Sequence, residues 1–218
     1  MRTNYQEKIL EGARQLFYQH GIKKITMDDI ASHLSISKKT IYREFADKNE
    51  IVKGICLIDF EQHRSIIDKH QTNSENAIKA IVQIMKYVHE YLDGINPEYF
   101  YNMQKYHSSA WNLYIEFKSK FIINSVVKNL LKGQQEGLYR SNLNINILSR
   151  LRIAEMDAAL DTDLYPPSEF SLVEINDELL RHFLQGITTI KGHQLINEYL
   201  KIDEAGNAQN EMVYAANK

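Results

Sequence analysis

The stretch TMDDIASHLSISKKTIYREFADKNEIV, Thr26 to Val52, decides how the rest of the chain is read. It predicts two short helices joined by a tight turn and followed at once by a third. Thr26 precedes the first helix, Met27 to Leu34, and Asp29 stands three residues on, the spacing of a capping box. Asp28 and Asp29 place negative charge at the positive end of that helix dipole. Ile30, Ala31 and Leu34 fall on one small apolar face. Ser35, Ile36 and Ser37 make the turn, with Ile36 as the buried plug and Ser37 as the next N-cap. The second helix, Lys38 to Phe45, turns Ile41 and Phe45 inward at i, i+4. Lys38, Lys39, Thr40, Tyr42, Arg43 and Glu44 are left facing out. Asp47 to Glu50 repeats the capping pattern and opens the third helix.

That spacing fits a helix-turn-helix, whose second helix enters the major groove with its N-terminal residues against base edges. Lysines and an arginine can meet phosphate or guanine; threonine and tyrosine hydroxyls can meet the backbone. A merely solvated polar face would have the same composition, and the residues alone leave both readings open. The stretch also resembles the signature of the tetracycline-repressor (TetR) family of regulators. The matching elements are Ile30-Ala31, the Ser35-Ile36-Ser37 turn, the run Thr40-Ile41-Tyr42-Arg43-Glu44-Phe45, and Lys48 at the head of the next helix. Upstream, Ala13, Phe17, Gly21 and Thr26 match as well, so the resemblance covers roughly the first quarter of the chain. Ser35 replaces the family's usual turn glycine, Lys39 stands where a glycine is common, and Glu44 where a histidine is common. The resemblance implies a homodimer that binds a palindromic double-stranded operator. Lys38, Lys39, Thr40 and Glu44 would then face bases or nearby backbone, with Thr26, Ser37, Tyr42 and Lys48 on phosphates and Arg43 a further DNA-binding residue.

The remainder reads as helix throughout. Asn4 to His20 is amphipathic and stops at Gly21. A fourth helix runs from Asp47 to about His70, where QTNSE (Gln71–Glu75) breaks it. Further helices are expected at Ala77 to Leu92, Asn96-Pro97 to Tyr106, Ser108 to about Glu136, Ile145 to Leu160, Glu169 to about Ile190, and His193 to about Ile202. The DTDLYPP segment (Asp161–Pro167) is a firm break, and Gly192 separates the last two helices. The fold class is therefore all-α, without a strand. Residues 1–46 form a three-helix DNA-binding head, 47–203 a larger helical ligand-binding and dimerisation body, and 204–218 a tail with little periodicity.

Composition is that of an ordinary globular protein, 44% hydrophobic and 25% charged with three prolines in 218 residues. The first fifty residues carry nine Lys and Arg against seven Asp and Glu, net positive within a chain of net charge −2. One cysteine, Cys56, permits no internal disulfide and no multi-cysteine metal site. No run approaches the ~18 apolar residues of a membrane span, so a cytoplasmic protein without membrane contact is expected. The chain shows no glycine-rich phosphate loop and no GxSxG. Its histidines, His89 and His107 among them, are scattered. Neither an enzyme, a cofactor nor a metal is expected.

Aromatic residues and methionines gather in the middle of the chain, notably Tyr87, Tyr91, Met103, Tyr106, Trp111, Tyr114 and Phe117. They read first as plain core, since aromatics at helical spacing usually are, and alternatively as the walls of a pocket for a hydrophobic or aromatic inducer; the family resemblance raises the pocket reading. The eighth and ninth helices carry apolar stripes that predict a four-helix dimer interface centred on Leu148, Leu151, Leu179, Phe183 and Ile187. The function expected is a ligand-responsive regulator, usually a repressor. The alternatives are a DNA-binding dimer without a ligand, or a helical carrier or enzyme built around the aromatic pocket.

Overall fold

The computed structural model describes residues 3–200, and the tail expected at 204–218 lies outside them. Eleven α-helices follow one another among these residues: α1 Asn4–His20, α2 Met27–Leu34, α3 Lys38–Glu44, α4 Lys48–Asn73, α5 Ala77–Asp93, α6 Glu98–Tyr106, α7 Ser108–Phe117, α8 Ile123–Gln135, α9 Ile145–Ala159, α10 Leu172–Ile187 and α11 Ile190–Leu200. Their starts are written in side chains. Thr3, Thr26, Ser37, Asp47, Asn76, Asn144 and Ser171 each accept a backbone N–H of the first turn they precede.

Four boundaries differ from the sequence reading. Helix α4 continues through Gln71 to Asn73, because Gln71 is half-buried and its amide donates to Ser125 on α8. Helix α10 begins only at Leu172, where Ser171 and Glu174 complete a capping box. Gly192 lies inside α11 instead of before it. A Cβ there would stand 2.2 Å from the Leu138 carbonyl oxygen, so glycine is present to let α11 approach that loop. The long helix expected over Ser108 to Glu136 is divided by a π turn, Lys118–Ile122, between α7 and α8. Both Phe117 and Lys118 are buried at that turn, and the Lys118 ammonium pairs with Asp157 of α9. No proline or glycine marks this break, and the partner of its buried lysine comes from another helix. Among the described residues there is no strand, only an isolated antiparallel bridge, Tyr139 with Thr188.

Two hydrophobic clusters organise the molecule. The first joins Ile9, Phe17, Ile30 and Ile41 of the head to Ile55 of α4 and to Tyr99, Met103 and Tyr114 of α6 and α7. It therefore runs straight through the boundary drawn at residues 46 and 47. Cys56 is buried in it, its thiol donating to Met103 Sδ at 3.4 Å. The second cluster gathers α5, α8, α10 and α11 around Ile78, Leu130, Leu184 and Ile196. No described helix is long and apolar enough to cross a membrane.

Candidate nucleic-acid interface and the hollow behind it

Recognition geometry begins at the turn between α2 and α3. Ser35 adopts φ 53°, ψ 43°, the left-handed conformation, and the N–H groups of Ser35 and Ile36 close back on the carbonyls of Ser32 and Ala31. This is the glycine-type helix stop made with serine, at a cost of roughly 1 kcal/mol. Ser37 then caps α3: its Oγ accepts from Thr40 N at 3.0 Å and hydrogen-bonds Thr40 Oγ1 at 2.8 Å. Thr26 is engaged in the same way, accepting from Asp29 N and donating to Asp29 Oδ2 at 2.7 Å. Both hydroxyls expected on phosphates thus already serve as caps.

Lys38, Lys39, Tyr42 and Arg43 are exposed on α3, with Thr40 half-buried. Lys38 is paired with Asp28 at 2.8 Å, and Arg43 stands 5.4 Å from the Tyr5 ring centre. Lys39 and Tyr42, three residues apart on one face, hydrogen-bond to no other group among the described residues. Two expectations need correcting. Glu44 turns away from the outer face and accepts from Thr3 Oγ1 and Arg43 Nε, each at 3.1 Å, which fastens α3 to the start of α1. Lys48 is half-buried, and its ammonium donates to the carbonyls of Ile22 at 3.0 Å and Ile25 at 2.9 Å. It pins α4 to the loop before α2 and does not face outward for a phosphate.

Behind the head, α4, α5, α7, α9 and α10 enclose a hollow of two chambers. One, of about 130 Å³, is walled by Phe60, His63, Tyr87, Tyr91, Tyr114 and Phe117. The other, of about 110 Å³, lies towards α8 and is walled mostly by aliphatic side chains and Phe183, with Gln71, Ser125, Asn129, Arg152 and Asn176 among them. Ile67, Val88, Ile122, Met156 and Asn176 line both chambers. Tyr87, Tyr91, Tyr114 and Phe117 thus come together as expected for a pocket. The other three do not. Met103 is 1% exposed in the first core, Tyr106 is 45% exposed on the surface near Lys23 and Lys105, and Trp111 lies behind Tyr114, ring centres 4.9 Å apart.

The expected dimer residues divide similarly. Phe183 and Ile187 are 7% and 2% exposed and face the hollow, so neither can centre a contact with a second chain. Leu151 is 46% exposed beside Ile147 at 63%, while Leu148 and Leu179 are half-buried.

Residues that the sequence reading passed over join the chamber to the head. Asp59 of α4 is buried and accepts from Arg14 Nη1 at 3.1 Å and from the Tyr18 hydroxyl at 2.6 Å, both on α1. Tyr91 on the chamber wall reaches Tyr18 at 3.2 Å. Burial pushes the Asp59 carboxyl up, and the Tyr18 hydroxyl and Arg14 hold it back. His63 packs edge-on to Tyr91 at 4.5 Å and its Nδ1 lies 2.5 Å from the Tyr87 hydroxyl. Burial, then Arg14, pushes His63 down to about 4, and burial pushes Tyr87 up to about 12, so the phenol donates to a neutral ring. A signal for two of the missed residues existed. Arg152 sits i+4 from Leu148 and i−4 from Met156, and Asn176 sits between Leu172 and Leu180. Each is a polar side chain inside an apolar stripe.

Residues 9–55 match the family described as bacterial regulatory proteins, tetR family. Over 184 residues the chain is 23% identical to the uncharacterized HTH-type transcriptional regulator YvaF of Bacillus subtilis, an alignment covering 84% of this chain and 95% of that protein. It is 30% identical over 93 residues to IcaR of Staphylococcus aureus, an HTH-type negative transcriptional regulator of the biofilm operon icaADBC. That alignment covers 43% of this chain and only 48% of IcaR. Among solved structures it is similar to SmeT, the repressor of the Stenotrophomonas maltophilia multidrug efflux pump SmeDEF. The TM-score is 0.65 at 15% identity, covering 85% of this chain and 91% of SmeT. A complex of SmeT with triclosan superposes equally well, covering 86% and 93%.

Lys48→Met should lower stability by about 1–3 kcal/mol, since two carbonyls lose a charged donor, and leave the salt-dependence slope of DNA binding as it was. Thermal melts and titrations at several salt concentrations check this; an unchanged melt with a slope lower by about one per head would restore a phosphate role. For His63, the folded value of about 4 lies below the ordinary ~6.5, so unfolding takes up a proton between them. Stability should be lost as pH falls through that window, by about 1 kcal/mol per unit near its centre. Urea titrations of His63→Gln should show a flatter dependence there; parallel curves would remove His63 from the account.

Proposed function

Because the chain belongs to the TetR family of bacterial regulatory proteins, and is a DNA-binding transcriptional regulator of that family, we propose that it is a repressor. In this reading it binds a palindromic operator as a homodimer and leaves it when a small, largely apolar molecule fills the hollow. The observation that carries the proposal is the line of contacts running from the chamber wall to the head. Tyr91 touches both the hollow and Tyr18, and Tyr18 and Arg14 meet Asp59, so one hydrogen-bonded cluster belongs to cavity and α1 at once. A molecule that displaces Tyr91 changes the seating of α1 on α4, and with it the angle of α3. Such a molecule shifts the protein between two states only by its differential affinity for them.

On the DNA side, Lys39 and Thr40 lie in the first turn of α3 and take base edges, while Lys38, Tyr42 and Arg43 meet the backbone. The exposed Ile147 and Leu151 of α9, with Leu179 of α10, supply the contact with a second chain. SmeT with triclosan supports reading the hollow as a ligand site in a repressor of this fold.

Selection of DNA fragments by the purified chain, followed by titration of the selected and a scrambled duplex, tests the reading. The selected site should be two-fold symmetric. Lys39→Ala should cost about 1–3 kcal/mol per lost base contact and relax preference at one position in each half-site. Equal losses on selected and scrambled DNA would show that Lys39 reads no base; a monomer in light scattering at micromolar concentration would end the dimer.

A further inference from the structure

The chamber towards α8 contains a feature that an apolar ligand alone does not explain. Arg152 of α9 and Asn176 of α10 are 8% and 9% exposed, and both line it. Arg152 is the one formally charged side chain on the walls of either chamber among the described residues, since burial keeps His63 neutral at ordinary pH. Its guanidinium makes a single bond, Nη1 to Glu155 Oε2 at 3.1 Å, and Glu155 is itself nearly buried. The remaining guanidinium N–H groups and the whole Asn176 amide have no hydrogen-bond partner among the described residues. These atoms are not sealed off: they face the space of the chamber, where water or a ligand's acceptor can meet them. Neither of them borders a catalytic constellation. Both border empty space.

Resting on the reading of the hollow as a ligand site, we propose that its ligand is a monocarboxylate with an apolar tail, the head seated at Arg152 and Asn176. A carboxylate is an acceptor-only group whose two oxygens match the planar guanidinium fork, of which Glu155 occupies one prong. Asn176 Nδ2 adds a donor from the opposite helix. Asn176 also lines the aromatic chamber, so a tail leaving the head passes Ile67, Val88 and Met156 to lie against Phe60, Tyr114 and Phe117. Glu155 acts as a competitor for the same guanidinium, holding it while the site is empty and keeping affinity moderate.

The test uses the full chain with decanoate, methyl decanoate and decan-1-ol, read by the fluorescence of the single tryptophan, Trp111, whose ring lies against Tyr114 of the aromatic chamber. Decanoate should bind at least about tenfold more tightly than the ester or the alcohol, the equivalent of one charge-assisted contact. Arg152→Gln should abolish that preference, Asn176→Asp should reverse it by placing a like charge beside the head, and Glu155→Gln should tighten decanoate alone. Asn176→Asp keeps shape and volume, so it guards against an Arg152 variant that fails to fold; melts of all variants accompany the titrations. Equal binding of the three molecules to the wild type, or no binding of any, overturns the inference, as does an Asn176→Asp protein that keeps the decanoate preference. Selective binding of decanoate that leaves operator affinity unchanged upholds the carboxylate site and sinks the ligand-released repressor.

Discussion

A buried carboxylate holds the two ends of this molecule in register. Asp59 sits on α4, deep in the core that the head shares with the body, where an uncompensated charge would cost several kcal/mol. Arg14 and Tyr18 offset that cost from α1, and Tyr91 of α5 in turn donates to the Tyr18 oxygen. The carboxylate thus ties α4 to α1 directly, and α5 joins through Tyr18. Removing either donor leaves the carboxylate with a single partner, so the seating of α1 on α4 depends on both. Continuous packing alone would permit small sliding between α1 and α4; a charged, directional cluster allows a few discrete arrangements. That is what a regulator needs between a cavity and a DNA-reading helix.

The head is the part most legible from sequence. Helix caps are short-range signals, and Thr26, Ser37 and Asp47 act where their spacing places them. Apolar periodicity identifies Ile30, Ile41 and Phe45 as inward, and all are buried. What fails is the direction of long charged side chains. Lys48 and Glu44 each stand three residues from a buried isoleucine, Ile51 and Ile41, and each is captured by a partner far away in sequence, the Ile22 and Ile25 carbonyls and the Thr3 hydroxyl. No local pattern encodes such a capture.

The body was legible as helices but less so as a site. Seven aromatic and methionine residues looked alike by periodicity, and only four reach the chamber, because two consecutive faces of α6 and α7 serve different neighbours. Phe183 and Ile187 repeat with the period of an outer stripe, yet that stripe points to the hollow. The π turn at Lys118–Ile122 has no sequence marker, and the partner of its buried Lys118, Asp157, lies on another helix. Arg152 and Asn176 are masked in the opposite way: each interrupts an apolar stripe whose period dominates the sequence around it.

The seating of Cys56 against Met103 has a chemical consequence. Sulfur reacts with peroxides and electrophiles as thiolate, and burial pushes this thiol up to about 12, with the nearby Asp59 opposing a second negative charge. At neutral pH almost none of it is ionised, and the side chain has no path to solvent. The chain therefore carries its single cysteine as a filler of volume. Burial and protonation both work against sulfenate formation and mixed disulfides, which other proteins use to report oxidative stress, and alkylating reagents should label this residue only after the core has opened.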